Sequence, residues 1–181
     1  MNQIIVKEAE VSDIPKIKKI LHSTALWLNK KGSQQWAGLL RGKDVHNIQE
    51  AVERKEVYLV TKEDTILGTF ALWDNQTPWD IDLWGEEESR KYLYLHRIAL
   101  ESNQHGKNRG KLLLEGAQSI ARKSEIRGIR LDCIASNPNL NEFYQANGFD
   151  YVKTIHDYNN GEGLQDYNLY VWNVKKETEK Y

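Results

Sequence analysis

Residues 92–124 read YLYLHRIALESNQHGKNRGKLLLEGAQSIARKS. They predict a strand over 92–100, a polar loop with two glycines over 101–110, and a long apolar-striped helix from about Lys111. The first turn of a helix has unpaired N–H groups and the positive end of the helix dipole, and glycine lets backbone approach a ligand closely. This order of elements therefore predicts a loop that binds an anion.

The strand contains a break in its alternation of apolar and polar side chains. Leu93 and Leu95 are apolar at odd positions. Ile98 and Leu100 are apolar at even positions, so one extra residue must be absorbed near 96–97, because side chains in a strand alternate with a period of two. The sequence predicts a β-bulge there, although a chance phase slip in a regular strand would give the same pattern.

The loop does not fit the common nucleotide-binding patterns. Gly106 and Gly110 are one residue too close for a P-loop, and a dinucleotide fingerprint would need a third glycine. Residues 105–110, HGKNRG, instead resemble the diphosphate loop of the GNAT N-acetyltransferases, Gln/Arg-x-x-Gly-x-Gly/Ala, set between a strand and a helix. His105 stands at the Gln/Arg position and Asn108 at the first glycine, where Asn tolerates left-handed backbone.

A second signature covers residues 137–149, NPNLNEFYQANGF. Asn137 is a good N-cap, Pro138 fits the first position of a helix, and Gly148 is a typical C-terminal stop. The segment resembles the second GNAT signature, in which Asn precedes a helix that ends in Tyr-x-x-x-Gly-Phe. The two signatures also follow each other in the order and at the spacing of that family.

The resemblance implies the GNAT fold: an α/β (α+β) protein with a mixed, mostly antiparallel seven-stranded sheet, flanking helices, and a bulged fourth strand that splays from the fifth. At 181 residues, we expect one domain over 1–181, with 175–181 as a frayed tail. The local patterns predict strands at 3–7, 57–61, 66–73, 129–135, 151–157 and 167–173, helices at 13–31, 45–54, 111–127 and 138–147, and irregular segments at 34–38 and 74–88.

Composition excludes several classes of protein. A chain that is 40% hydrophobic and 28% charged is typical of a folded domain, and a net charge of −1 argues against a nucleic-acid-binding surface. Cys133 is the single cysteine, so it forms no internal disulfide, and its apolar alternation predicts a buried, inert thiol. The five histidines show no metal-ligand spacing. We expect a cytoplasmic monomer or homodimer, with no metal, no nucleic-acid partner and no membrane partner.

The resemblance implies acetyl-CoA as the cofactor. In the family, the pantetheine arm lies in the opening between the fourth and fifth strands, and the diphosphate lies on the loop that follows. The implied cofactor-binding residues are Ile98, Ala99, Leu100, His105, Gly106, Lys107, Asn108, Arg109, Gly110, Lys111, Asn137, Asn141 and Tyr144.

Transfer of an acetyl group to an amine requires a base for the amine and an acid for the departing thiolate. The resemblance points to Tyr144 as the general acid toward the CoA sulfur, although a tyrosine on the same helical stripe as Leu140 is more often a core residue. For the base, His96 is the candidate, because histidine is the residue type best suited to proton transfer near neutral pH. A structural His96, with water deprotonating the amine, is the alternative.

The acceptor can be inferred from residues 74–88. This segment has six acidic residues and no basic one, interleaved with Trp79 and Trp84, a composition that attracts cationic amines. A solvated acidic loop would have the same composition. The predicted acceptor-binding residues are Trp36, Trp79, Trp84 and Tyr94.

The sequence therefore predicts an N-acetyltransferase that acts by direct transfer on the primary amine of a small, cationic molecule. Two alternatives stay open. One is a protein acetyltransferase that modifies N-termini or lysines. The other is a non-catalytic CoA-binding sensor, suggested by Asn108 in the loop and by the absence of an acid before the predicted bulge.

Overall fold

The computed structural model describes residues 3–33, 36–43 and 47–175. In these residues, short 3₁₀ helices at Val11–Asp13 and Ser102–Gln104 accompany the main elements. The strands are β1 (Ile4–Glu8), β2 (Val57–Lys62), β3 (Thr65–Trp73), β4 (Tyr92–Leu100), β5 (Gly128–Ile134), β6 (Asp150–Asn159) and β7 (Leu164–Asn173). The helices are α1 (Ile14–Lys30), α2 (Ala37–Leu40), α3 (Ile48–Glu53), α4 (Pro78–Trp84), α5 (Gly110–Lys123) and α6 (Pro138–Ala146).

The strands form one seven-stranded sheet in the order β1-β2-β3-β4-β5-β7-β6. β4 and β5 are parallel, because α5 connects them as a crossover, whereas β1 with β2, β2 with β3, β5 with β7 and β6 with β7 are antiparallel. The predicted mixed, mostly antiparallel seven-stranded sheet with flanking helices is confirmed.

The predicted irregularity in β4 is confirmed at the expected place. Arg97 has φ 51°, a left-handed conformation inside a strand. The parallel ladder joins Tyr92–Tyr94 to Gly128–Arg130. The expected shift of the buried positions from odd to even numbers is wrong, however: Ala99 is buried after the irregularity, while Ile98 and Leu100 are only half-buried.

The described chain divides into two compact units. The first unit contains the described residues up to Leu72 together with His96–Ala117. One side of α1 is buried in its core, and α5 packs on the sheet, where Gly116 lets the helix lie close to Val6 and Val60. Fully buried side chains of this unit include Ile17, Ile20, Leu59, Phe70 and Leu113.

The second unit contains Trp73–Leu95 and the described residues from Gln118 onward. Its core consists of β5 and β7 side chains together with Phe149, which follows α6. The predicted ends of α6 are confirmed: the Asn137 side chain accepts a hydrogen bond from the Leu140 N–H at 3.1 Å, and Gly148 has φ 89° after the last turn. Phe149 packs edge-on against Tyr144, which is the hydrophobic contact that often accompanies a glycine-terminated helix.

Several predicted elements need correction. The segment 74–88, predicted to be irregular, contains α4, which is capped reciprocally by Thr77 and Asp80. α1 begins at Ile14 rather than at 13, because residues 11–13 form a 3₁₀ turn. α5 ends at Lys123, four residues before the predicted end, and the predicted loop at 34–38 overlaps α2.

Some predictions fall partly outside the described residues. The helix predicted over 45–54 is described only as Ile48–Glu53, and of the predicted tail only Lys175 is described. In the described ranges, no helix has the length and apolar character needed to cross a membrane. The expectation of one domain stays a prediction.

Candidate active site

The loop between β4 and α5, in the first unit, has the backbone of an anion cradle. Gly106 and Asn108 have φ 78° and φ 54°, so the two positions where the sequence tolerates left-handed backbone both adopt it. α5 then begins at Gly110 and runs for 14 residues, which directs its first N–H groups toward the loop. Backbone of this shape, followed by a helix start, can hold a phosphate.

His105 is fixed in this loop by stacking. Its ring lies 4.9 Å from the ring of Trp27 at 30°, and the Lys31 ammonium lies 4.1 Å from the Trp27 ring centroid. Partial burial, followed by the charge of Lys31, lowers the pKa of His105 below its usual value. The neutral, stacked ring anchors a position where the family has a hydrogen-bonding Gln or Arg. The sequence offered no signal for the role of Trp27.

The start of the loop is fixed by Glu101. Its backbone N–H donates to the Leu67 carbonyl at 2.8 Å, and its carboxylate accepts from the Ser102 N–H at 3.1 Å and pairs with Lys16 at 2.5 Å. Burial alone would raise the pKa of Glu101, but the bonds to Lys16 and Ser102 outweigh it, and the pKa is lowered. This ion pair ties α1 to the loop and was not visible in the sequence.

A Glu101→Gln substitution should lower the free energy of unfolding by about 1 kcal/mol at pH 7, because a hydrogen-bonded ion pair at a largely buried carboxylate is lost. A carboxyl group with a lowered folded-state pKa stabilises the protein above its unfolded pKa of about 4.3, and that stability is lost as the pH falls through the folded value. The difference between wild type and variant should therefore shrink below about pH 4.

Urea titrations of wild type and variant from pH 7 to pH 3 measure this difference. Glu8→Gln is the matched control, because Glu8 is an exposed acid of β1 in the same unit. We expect the control to show no comparable pH-dependent difference. A Glu101→Gln difference that stays constant down to pH 3 would contradict the ion-pair interpretation.

The other predicted residues of the first unit occupy β4, the loop and α2. His96 is half-buried in β4 next to Arg97, and Trp36 is half-buried with φ 59° at the start of α2. Lys107 and Lys111 are exposed, and Arg109 is half-buried. In the described part of the chain, the side chains of Lys107, Arg109 and Lys111 make no ion pair, which leaves three positive charges on the loop.

Tyr144, the predicted acid, lies in the second unit. It is 5% exposed and packs against the rings of Phe143, Phe149 and Tyr170. Burial, together with nearby Cys133 and Asp132, raises the pKa of Tyr144 well above its usual value. The hydroxyl therefore keeps its proton across the physiological range, as a proton donor must.

Asn141 has its whole side-chain amide engaged. Its Nδ2 donates to the Ile134 and Asn137 carbonyls at 3.0 and 2.7 Å, and its Oδ1 accepts from the Asn168 amide at 2.8 Å and the Tyr170 hydroxyl at 2.7 Å. A bond to a cofactor would have to replace one of these. These contacts give Asn141 a structural task that sequence reasoning missed, namely joining β5, α6 and β7.

Arg130 of β5 brings two of the predicted acceptor residues together. Its guanidinium lies 4.6 Å from the Trp84 ring and 3.8 Å from the Tyr92 ring, and donates to the Tyr94 hydroxyl at 3.1 Å. It also approaches Glu87 at 3.6 Å. The sequence marked Arg130 only as a polar residue of an alternating strand, and no local signal could have predicted these partners.

Gln76 connects the residues around Tyr94 in the second unit. Its Nε2 donates to the Tyr94 hydroxyl at 3.0 Å and to the Gly85 carbonyl at 2.8 Å, and its Oε1 accepts from the Glu87 N–H at 2.8 Å. Burial raises the pKa of Tyr94, although the Arg130 and Gln76 contacts oppose the shift. Because the Tyr94 hydroxyl oxygen accepts both of these hydrogen bonds, its own O–H can donate to a third group.

Trp79 lies in a different environment from Trp84. Its indole N–H donates to Asp132 at 3.0 Å, and its ring meets Tyr158 and Tyr167 edge-on at 5.0 and 5.2 Å. Burial is the main cause that raises the pKa of Tyr158, to about 12. The Tyr158 hydroxyl also donates a hydrogen bond to the Asp82 carboxylate at 2.8 Å. Trp79 therefore belongs to an aromatic cluster bordered by carboxylates.

Four of the six acids in 74–88 make contacts within the unit, including Asp82, which accepts from the Tyr158 hydroxyl. Glu87 pairs with Lys91 at 2.6 Å, Asp74 pairs with Arg90 at 3.6 Å, and Asp80 caps α4. Asp82, Glu86 and Glu88 are exposed and have no cationic partner among the described residues. The segment keeps a negative surface, but a smaller one than its composition predicted.

Cys133 behaves as the sequence predicted. It is 2% exposed on β5, and burial, followed by the charge of Asp132, raises the pKa of its thiol to about 12. Such a thiol stays protonated near neutral pH and is a poor nucleophile. The expectation of a buried cysteine is confirmed, and its low reactivity stays a prediction.

Comparison with known proteins identifies relatives of this chain. A model of the acetyltransferase (GNAT) family matches residues 24–149. The N-acetyltransferase YesJ of Bacillus subtilis (strain 168) is 33% identical over 144 residues, which are 80% of each chain.

Solved structures have the same fold. A GNAT-family acetyltransferase from Listeria monocytogenes is 33% identical and superposes with a TM-score of 0.75 over 94% of this chain and 95% of that one. YncA from Salmonella typhimurium, whose structure contains its cofactor acetyl-CoA, has a TM-score of 0.71 at 14% identity, over 97% of this chain and 96% of its own. At 14% identity the second similarity concerns the fold alone.

Proposed function

Since the chain belongs to the GNAT family of acetyltransferases, whose acetyl donor is acetyl-CoA, we propose that it transfers the acetyl group directly to the primary amine of a small, cationic acceptor. The observation that carries the proposal is the turn from β4 into α5. Left-handed backbone at Gly106 and Asn108 comes directly before the first N–H groups of a 14-residue helix. Lys107, Arg109 and Lys111 add cations that suit a diphosphate.

The hydrogen-bond donors of this loop suit the diphosphate of CoA. Backbone N–H groups at a helix start bind phosphate oxygens without a side chain, so Asn108 in place of glycine is tolerated as long as it adopts positive φ. The Arg109 side chain is half-buried and makes no hydrogen bond or ion pair among the described residues, so its guanidinium is available to an anionic ligand. In β4, the amides of Ile98, Ala99 and Leu100 are the proposed contacts of the pantetheine arm.

When bound, acetyl-CoA supplies an activated thioester. Tyr144 is proposed to protonate the departing sulfur as the new C–N bond forms and the C–S bond breaks, because its raised pKa keeps the proton on the hydroxyl until the thiolate develops. His96, or a water molecule, removes a proton from the amine. Asn137 and Asn141 are proposed to shape the cofactor side of α6.

The proposed acceptor side consists of Trp79, Trp84, Tyr94 and Trp36. Aromatic side chains, together with the exposed acids Asp82, Glu86 and Glu88, favour a protonated amine or polyamine. Arg130 limits this preference, because its guanidinium already lies on the Trp84 ring.

An acceptor panel tests the proposal. Calorimetry with acetyl-CoA comes first, and free-thiol release is then measured with spermidine, kanamycin, a lysine-bearing peptide and glutamate. We expect acetyl-CoA to bind and spermidine or kanamycin to release thiol fastest. Binding without turnover on any amine would instead identify a sensor, the peptide as best acceptor would indicate a protein acetyltransferase, and a preference for glutamate would overturn the cationic acceptor.

A further inference from the structure

A pocket lies on the first unit, between the β2–β3 hairpin and the loop before α5. Its volume is about 350 Å³, and the hairpin contributes Lys62, Glu63 and Thr65 to its wall. The loop side contributes Lys107 and Arg109, together with Gln104, which is buried. The pocket therefore shares two residues with the proposed diphosphate loop, but its other wall belongs to a hairpin that the proposed function does not use.

The pocket is strongly cationic. Three of its wall residues are basic and one is acidic. Within the described ranges, the side chains of Lys62, Lys107 and Arg109 make no hydrogen bond or ion pair, so Glu63 does not neutralise them. Like charges that converge on one concave surface repel each other unless an anion binds between them.

Arg109 gives the pocket a directed donor. Its Nε is enclosed by protein atoms and lacks a hydrogen-bond partner among the described residues, although buried polar groups are almost always paired. The enclosed Nε is closed to a ligand, but the other N–H groups of this half-buried guanidinium make no hydrogen bond among the described residues and can hold a phosphate oxygen in a fixed direction. Lys62 and Lys107 add charge around it. The volume also exceeds what a single inorganic ion requires, so part of an attached organic group could enter.

We propose that this pocket is a phosphomonoester-binding site formed by Lys62, Lys107 and Arg109. The phosphate can come from two sources: the 3′-phosphate that CoA carries on its ribose, or a separate phosphate anion. The first source rests on the proposed function. It would make the enzyme select CoA over donors that lack the 3′-phosphate.

Lys62→Gln tests the site, because Lys62 is the last residue of β2 and lies outside the loop assigned to the diphosphate. Lys18→Gln is the matched control, an identical change of charge at an exposed position of α1 in the same unit. Calorimetry at constant ionic strength compares CoA with 3′-dephospho-CoA for wild type and both variants. A thermal-shift titration with inorganic phosphate accompanies it.

If the 3′-phosphate is the ligand, wild type should bind CoA about tenfold more tightly than dephospho-CoA. Lys62→Gln should remove most of that difference while leaving dephospho-CoA affinity unchanged, and Lys18→Gln should behave as wild type. If a separate anion is the ligand, phosphate should raise the melting temperature of wild type but not of Lys62→Gln, with CoA and dephospho-CoA bound equally.

Unchanged binding of CoA, dephospho-CoA and phosphate in Lys62→Gln would overturn the site. That outcome would not contradict the proposed function, because CoA and dephospho-CoA would still bind. If wild type bound neither CoA nor dephospho-CoA, the proposed function would be wrong. The phosphate titration alone would then decide whether the pocket binds an anion.

Discussion

A Tyr144→Phe variant should lose about 100-fold or more in kcat, while its affinity for acetyl-CoA changes little. The ring of Tyr144 packs among Phe143, Phe149 and Tyr170, and phenylalanine preserves those contacts. Only the hydroxyl is lost. Because burial raises the pKa of that hydroxyl, it is protonated whenever the enzyme is active, and its removal leaves the departing thiolate without this donor.

Steady-state kinetics by free-thiol release and calorimetry with acetyl-CoA separate the two effects. Tyr170→Phe is the matched control, because Tyr170 is a second buried tyrosine of the same cluster and its hydroxyl donates to Asn141 at 2.7 Å. We expect the control to lose about 1 kcal/mol of stability through that hydrogen bond, with kcat within a few-fold of wild type. Equal kcat in Tyr144→Phe and wild type would assign Tyr144 to packing alone.

Local signals in the sequence predicted the parts of the site that are built from local structure. Asn137 caps α6 and Gly148 ends it, because capping depends on residues within one turn of the helix end. The left-handed backbone at Asn108 follows in the same way from the few residue types that tolerate positive φ. The capping box of Thr77 and Asp80 was equally local and was missed, since the acidic composition of the segment concealed it.

Long-range contacts were beyond the sequence. Arg130 meets Tyr94 and Glu87, which lie about forty residues earlier in the chain, through the parallel pairing of β4 with β5. That contact, and the pairing of Glu87 with Lys91, removes part of the negative charge on which the cationic acceptor was predicted. Composition counts charges, whereas their effect depends on which ones the fold has already neutralised.

The position of the irregularity in β4 was predicted correctly, but the alternation of side chains on which the prediction depended holds only in part. Period-two alternation assigns one face to the core when the other face is open to water. In β4, three consecutive residues, Leu93, Tyr94 and Leu95, are all buried, so both faces are covered there and alternation carries little information. The irregularity itself is marked by the left-handed backbone of Arg97.

A Gly68→Ala variant should lose about 3 kcal/mol or more of stability, the upper part of the range for overpacking in a core. A Cβ at position 68 would lie 2.2 Å from the Ala99 carbonyl oxygen and 3.0 Å from Leu113 Cδ1. The first contact is with backbone, which cannot rotate away, so β4 itself would have to move. The affected carbonyl lies two residues after Arg97 and between Ile98 and Leu100, whose amides are the proposed contacts of the pantetheine arm.

Gly116→Ala is the matched control, an identical substitution in the same unit. Its Cβ would meet only side-chain atoms, 3.0 Å from Val6 Cγ2 and 3.4 Å from Val60 Cγ2, and it gains helix propensity, so we expect a change within about 1 kcal/mol. Urea unfolding measures stability, and calorimetry on the folded fraction measures acetyl-CoA affinity. If Gly68→Ala is destabilised but binds acetyl-CoA as wild type does, the position of β4 near Ala99 does not matter for the cofactor. A loss of affinity in a still-folded Gly68→Ala, absent in Gly116→Ala, would instead link the amides beside Ala99 to the pantetheine arm, because only the first substitution displaces them.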